Sequence, residues 1–229
     1  LDLNTAMERP MRTVDWYFDF ISPYAYLAWH RLPELPADVH VVCKPVLFAA
    51  LLDHWGQKGP AEIAPKRLWT YRWCQWRAQR DGIPLRAPAA HPFNPLPQLR
   101  LALAAGCAPA AIQRIFESVW ATGEDAADPA AIVRLSEALG VAPERSAAPE
   151  IKEALRRNTA EAAARGVFGV PTLAIDGEIF WGVDGMDLAM AFLADPAILR
   201  NEEMQRIAAL PVGVARKAVA APVSGPSSG

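Results

Sequence analysis

Ser22, Pro23, Tyr24 and Ala25 stand where an alternating apolar run gives way to helical spacing. Serine at an N-cap followed by proline at the first helical position is a helix start. The free backbone N–H groups and positive dipole end of such a start stabilise an anion, and a thiolate profits most, because its pKa lies close to neutrality. Ser22 offers a hydroxyl where a nucleophile or an anion-stabilising donor would stand, and neither Ser22 nor Ala25 carries sulfur. Dithiol–disulfide exchange is therefore excluded at this turn, and any thiol handled there comes from outside the chain. Glutathione is the abundant external thiol of a cytoplasm. The plainer reading of Ser22 is a helix cap and nothing more.

Two further groupings carry chemistry. Gly169-Val170-Pro171-Thr172 lies about 150 residues after Ser22 and directly before an Asp176-Gly177 hairpin signal. A cis bond before Pro171 would turn the Val170 backbone N–H and C=O outward, free to pair with an extended peptide. The alternative is an ordinary loop proline. Trp181-Gly182-Val183-Asp184 precedes a last helix. A glycine beside a helix N-terminus suits a carboxylate, and Asp184 suits an amino group or serves as a plain N-cap.

These groupings need elements to hold them. Thr13 to Phe20 alternates Val14, Trp16, Phe18 and Phe20 with Asp15, Tyr17 and Asp19, which predicts a strand. Asp15 and Asp19 are expected to be partly buried caps or salt-bridge partners. The Ser22 helix runs through Trp29 and stops before Pro33, and Val39 to Phe48 reads as a second strand in which Pro45 marks an end or an edge. From Ala49 to Arg165 the spacing predicts only helices: Lys66–Asp81, Gln98–Ala105, Ala110–Ala121, Pro129–Leu139 and Pro149–Arg165. Strands return at Pro171–Ile175 and Glu178–Trp181, followed by a helix over Gly185–Leu193. The order is β-α-β, a helical block, then β-β-α. That is an α/β fold, a thioredoxin-like core split by an all-helical insertion. The expected division is 13–48 with 166–195 for the core, 49–165 for the insertion, 196–223 for a C-terminal helix and tail, and 224–229 for a linker-like end.

Composition narrows the function classes. The chain has 229 residues, 52% of them hydrophobic, and a net charge of -2. That balance suggests neither a nucleic-acid nor a membrane-surface partner. The basic residues concentrate only at Lys66, Arg67, Arg72, Arg77 and Arg80, most simply a solvated helix face. No apolar run is long enough to span a bilayer, and Leu1 to Arg12 has no signal-like stretch. Cys43, Cys74 and Cys107 are far apart and form no CxxC pair, as expected of thiols in a reducing compartment. His30, His40, His54 and His91 show no ligand spacing, so no metal is predicted. Trp69, Trp73 and Trp76 lie on one helical face and are expected in the core, with a lesser reading that one walls a pocket for a flat substrate.

The segments VDWYFDFISPYAYLA, GVFGVPT and EIFWGVD, in this order and spacing, resemble the 2-hydroxychromene-2-carboxylate isomerase family. That family is similar to the kappa-class glutathione transferases and shares the DsbA-type fold. The similarity covers roughly Val14 to Leu193. It implies a cytoplasmic, glutathione-dependent isomerase of aromatic catabolism, with relatives that are often dimers. Ser22 matches the serine that faces the glutathione sulfur. Val170 and Pro171 match the segment whose backbone holds the tripeptide. Trp181, Gly182, Val183 and Asp184 match the surroundings of its γ-glutamyl end, and Gln57 stands where relatives carry a glutathione-contacting asparagine. His91 and Asn94 fall in the loop that contacts the small aromatic substrate. Relatives place a substrate lysine near Leu52, which is apolar, leaving Lys44, Lys58 and Lys66 as replacements. A kappa-type transferase or peroxidase, or a non-catalytic binding module, would carry the same segments.

Overall fold

The computed structural model describes residues 11–214. The expected linker-like end at 224–229 and most of the leading segment lie outside the described residues.

Strand β1 (Arg12–Phe18) forms because its apolar residues face both ways. Val14, Trp16 and Phe18 point to one face, where the Trp16 and Phe18 rings stack at 4.2 Å and meet Phe20 and Phe116. Tyr17 points to the other, against Val46, Leu51, Ala162 and Val170. The strand ends at Phe18, two residues before the expected Phe20. Helix α1 (Pro23–Trp29) then crosses to β2 (Val39–Pro45), which pairs parallel with β1.

β2 stops at Pro45 rather than Phe48. A separate helix, α2 (Phe48–Trp55), begins there, and no capping side chain stands at its own N-cap, Leu47. Its first N–H is capped instead by Asp19 Oδ2 at 2.9 Å. Sequence spacing cannot show a cap delivered from another element.

The helical block continues as α3 (Ala64–Asp81), α4 (Leu96–Ala104), α5 (Pro109–Trp120), α6 (Pro129–Ala138), α7 (Pro143–Ala147) and α8 (Pro149–Ala164). These keep close to the expected ranges, apart from the unforeseen α7. The chain then returns as β3 (Thr172–Ile175), antiparallel to β1, and β4 (Glu178–Trp181). The turn between them holds Asp176 at φ 51° and Gly177 at φ 92°, the left-handed pair a two-residue hairpin requires. Helix α9 (Gly185–Ala194) and a short α10 (Glu202–Ala208) close the described chain.

The sheet order is β2-β1-β3-β4. Because β3 runs opposite to β1, its first residue, Thr172, lies beside Tyr17 near the end of β1. Trp181, the last residue of β4, pairs with Thr172. One end of the sheet therefore collects Ser22, the Val170–Pro171 turn, Trp181 and the start of α2. Among the described residues no helix is long and apolar enough to cross a membrane.

Candidate functional site

Ser22 has an extended backbone at the N-cap of α1 and is 6% exposed. Its Oγ accepts the Ala25 N–H at 3.2 Å and donates to the Val170 carbonyl at 3.4 Å. The second contact is long, so the hydroxyl proton is available to a better acceptor. The junction before Ser22 is held on every side. Trp120 Nε1 donates to the Phe20 carbonyl at 2.8 Å, His91 Nε2 to the Ile21 carbonyl at 2.7 Å, and the Ile21 N–H donates to Asp19 Oδ1 at 3.1 Å. Asp19 is fully buried. Loss of water raises its pKa to about 7, against the lowering effect of its backbone donors. Asp15 instead pairs with Arg165 at 2.6 Å.

The Val170–Pro171 peptide is cis, as the sequence suggested, and Val170 is the residue that faces Ser22. Gly169 is required by the indole packed over it: a Cβ there would sit 2.5 Å from Trp181 Nε1. Trp181, 53% exposed, and Phe168, with ring centroids 5.2 Å apart, form an aromatic wall beside Val170.

Ser22 and Val170 open into a cavity of about 730 Å³. Its walls are mainly apolar, with Ile21, Leu47, Phe48, Leu52 and Phe168 among them. Gln57, His91 and Asn94 reach it as well. Asn94 also caps the start of α4 through the Leu96 N–H at 3.1 Å. Lys58, Lys66 and Arg67 line it too, and among the described residues none of the three meets a carboxylate within 4 Å. Lys44 does not reach the cavity. It is bound to Glu161 at 2.7 Å and Asp15 at 3.5 Å.

Pro171, Gly182, Val183 and Asp184 lie next to this cavity rather than in its wall. Val183 is buried, and its carbonyl is taken by Arg31 Nη1 at 2.8 Å. Asp184 stands at the N-cap of α9 but caps nothing with its side chain. Its carboxylate folds over Gly182, whose φ is 89° and where a Cβ would lie 2.5 Å from Asp184 Oδ1. Its charge adds to burial, the larger cause, in raising the Tyr24 phenol.

The expectation that the three α3 tryptophans pack in the core fails for two. Trp69 and Trp76 are 64% and 54% exposed, and the Arg80 guanidinium lies over the Trp76 ring at 5.4 Å. Trp73 packs on Tyr24 at 5.3 Å. None of the three lines the cavity, whose indole is Trp181. Tyr71, on the same helix, does line it, and its hydroxyl meets His91 Nδ1 at 2.7 Å. Sequence spacing alone does not single out Tyr71 or Phe168. The one hint that Tyr71 carries is its place one helical turn after Arg67.

The chain's own thiols are unsuited to this site. Burial pushes Cys43 and Cys74 to about 12 and Cys107 to about 11, and none lines the cavity. The described residues contain no cluster of three or more His, Cys, Asp or Glu side chains fit for a metal ion.

Residues 13–194 match the family model described as DSBA-like thioredoxin domain. A 2-hydroxychromene-2-carboxylate isomerase of Pseudomonas putida is 33% identical over 191 residues, 75% of this chain and 89% of that protein. Glutathione S-transferase kappa 1 of Homo sapiens is 25% identical over 207 residues, 80% of this chain and 92% of that protein. A solved 2-hydroxychromene-2-carboxylate isomerase superposes with a TM-score of 0.69 at 25% identity, covering 84% of this chain and 98% of that one.

Proposed function

The chain belongs to the DsbA-like thioredoxin family, among the relatives of 2-hydroxychromene-2-carboxylate isomerase, and from that membership we propose that it is a glutathione-dependent isomerase of a carboxylated aromatic compound. The observation that carries the proposal is the Ser22 hydroxyl. It sits at a helix start, faces the Val170 carbonyl, and opens into an apolar cavity that no cysteine of the chain reaches. A thiol site without a thiol calls for one from outside.

The residues present fit glutathione. Ser22 Oγ and the α1 N-terminus would hold the sulfur, and the Val170 backbone the cysteinyl backbone. Gln57 and the Trp181–Asp184 turn would hold the two ends, with the uncapped Asp184 carboxylate available to an amino group. Bound glutathione supplies a thiolate able to add reversibly to a conjugated double bond, so that rotation about it becomes possible. Ser22 lowers the pKa of that thiol from its ordinary value near ~8.5 by about one unit, a preference of roughly 1.4 kcal/mol for the anion. The apolar walls accept a flat ring and exclude water, and Lys58, Lys66 or Arg67 meets the substrate carboxylate.

The human kappa relative favours a second reading, conjugation or peroxide reduction at the same site. Stoichiometry separates the two. With 2-hydroxychromene-2-carboxylate as probe, isomerisation leaves the glutathione concentration unchanged, whereas conjugation consumes one glutathione per product. A calorimetric titration without heat at millimolar glutathione would reject both and leave a binding module.

A further inference from the structure

The hydrogen-bond chain from Tyr71 through His91 to the Ile21 carbonyl has a direction. A carbonyl only accepts, so His91 Nε2, 2.7 Å from Ile21 O, carries the ring proton. Burial holds the imidazole below its ordinary pKa, against the raising effect of the Ile21 carbonyl and with the nearby Arg67 charge, so at neutral pH it has one proton and Nδ1 is an empty acceptor. The Tyr71 hydroxyl therefore donates to Nδ1, at 2.7 Å, and its oxygen lone pairs remain for the cavity that Tyr71 lines. The pair is set to take a proton out of the cavity.

The geometry points to Tyr71 as the general base of the isomerisation, with His91 as the proton store behind it; this rests on the isomerase reading above. A 2-hydroxychromene-2-carboxylate is a cyclic hemiketal whose ring carbon carries a hydroxyl and a carboxylate together. Arg67 and Tyr71, four residues apart on α3 and both on the cavity, meet such a geminal pair: carboxylate at Arg67, hydroxyl at Tyr71. The substrate O–H bond breaks and its proton joins Tyr71 Oη, while the Tyr71 proton moves to His91 Nδ1. The freed electron pair closes a C=O bond, and the ring C–O bond breaks with its pair on the phenol oxygen. That oxygen then takes the proton back from Tyr71 as His91 returns its own. Nothing is oxidised or reduced, and this step yields the ring-opened phenol with a conjugated ketone, its double bond still cis as the ring held it and ready for the rotation that completes the isomerisation.

The groups that face the imidazole are Tyr71 and Arg67 from α3, the Ile21 carbonyl, and the Phe93 and Trp120 rings. Turnover should accordingly fall with acid as His91 Nδ1 is protonated.

The test uses the full chain with saturating glutathione and 2-hydroxychromene-2-carboxylate. For Tyr71→Phe, kcat should fall about 100-fold or more, while KM and glutathione affinity stay within about threefold. His91→Gln keeps a donor for Ile21 O but no base, and should lose the acid limb of the pH profile together with kcat. Independently of turnover, the His91 imidazole followed by NMR should titrate at higher pH in Tyr71→Phe, because a donor to its neutral form has been removed. Wild-type kcat in Tyr71→Phe, a retained acid limb in His91→Gln, or an unmoved His91 titration would overturn the inference while the isomerase reading stands. A wild-type chain that binds glutathione yet leaves the chromene unchanged contradicts the isomerase reading itself and removes the inference with it.

Discussion

Arg31, at the end of α1, donates to the carbonyl of Val183 from 2.8 Å. Its other nitrogens hold Glu34 and Asp187. The helix that starts at Ser22 is thereby tied to the turn that starts α9. If the Trp181–Asp184 turn holds one end of glutathione, Arg31 sets its distance from the sulfur position at Ser22. Arg31→Met should destabilise the fold by about 1–3 kcal/mol, mainly through the buried Val183 carbonyl that it leaves without a partner, since the Glu34 and Asp187 carboxylates stay open to water. It should also weaken glutathione binding, read by calorimetry on the folded fraction. Wild-type affinity in a stable Arg31→Met protein would disconnect this tie from the site.

Asp184 offers a carboxylate that performs no capping. Asp184→Asn should weaken glutathione about tenfold, the scale of one charge-assisted hydrogen bond. Thermal stability should stay unchanged. S-methylglutathione, which keeps the amino end but has no thiol, should lose the same factor. A loss seen with glutathione alone would place Asp184 on the sulfur rather than on the amino end.

Asp19 makes a prediction about pH. Its folded pKa, about 7, lies above the unfolded value of 3.8. Between these values the folded chain binds a proton that the unfolded chain has released. Stability therefore falls as pH rises from 4 to 7 and is recovered on acidification. Urea unfolding of wild type and Asp19→Asn at pH 5 and 7.5 isolates this term. The wild type should gain stability relative to the variant at the lower pH, and an advantage that is equal at both would contradict the assignment.

Arg67 stands with Lys58 and Lys66 at the cavity without a carboxylate partner among the described residues. Arg67→Gln should raise KM for a carboxylated substrate about tenfold, scaled from one charge-assisted bond. Added salt should narrow the gap between the two proteins. An ester of the same substrate should show no difference between them. Equal KM values for acid and ester in the wild type would leave these cations without a function.

What could be read beforehand was what neighbours in sequence decide. Ser22-Pro23 starts a helix because the cap and the fixed proline φ are adjacent, and Asp176-Gly177 turns a hairpin because both residues tolerate positive φ. What could not be read depends on contacts across the chain. Asp19 caps α2 from 29 residues away, and Tyr71 meets His91 across 20. The α3 tryptophans show the same limit. Their helical spacing is plain in the sequence, but hydrophobicity does not say which face of α3 meets α1, and Trp69 and Trp76 turn outward. Lys44 illustrates it for charge: candidate substrate lysines look alike in sequence until Glu161 claims one of them.

Whether Ser22 holds a thiolate is tested directly by the acid–base titration of bound glutathione. Ultraviolet thiolate absorbance of the complex, followed against pH, should give a thiol pKa about one unit or more below that of free glutathione in the wild type. In Ser22→Ala it should return toward the free value, at a cost to stability of only about 1 kcal/mol for the lost cap. The same depressed pKa in both proteins would contradict the account.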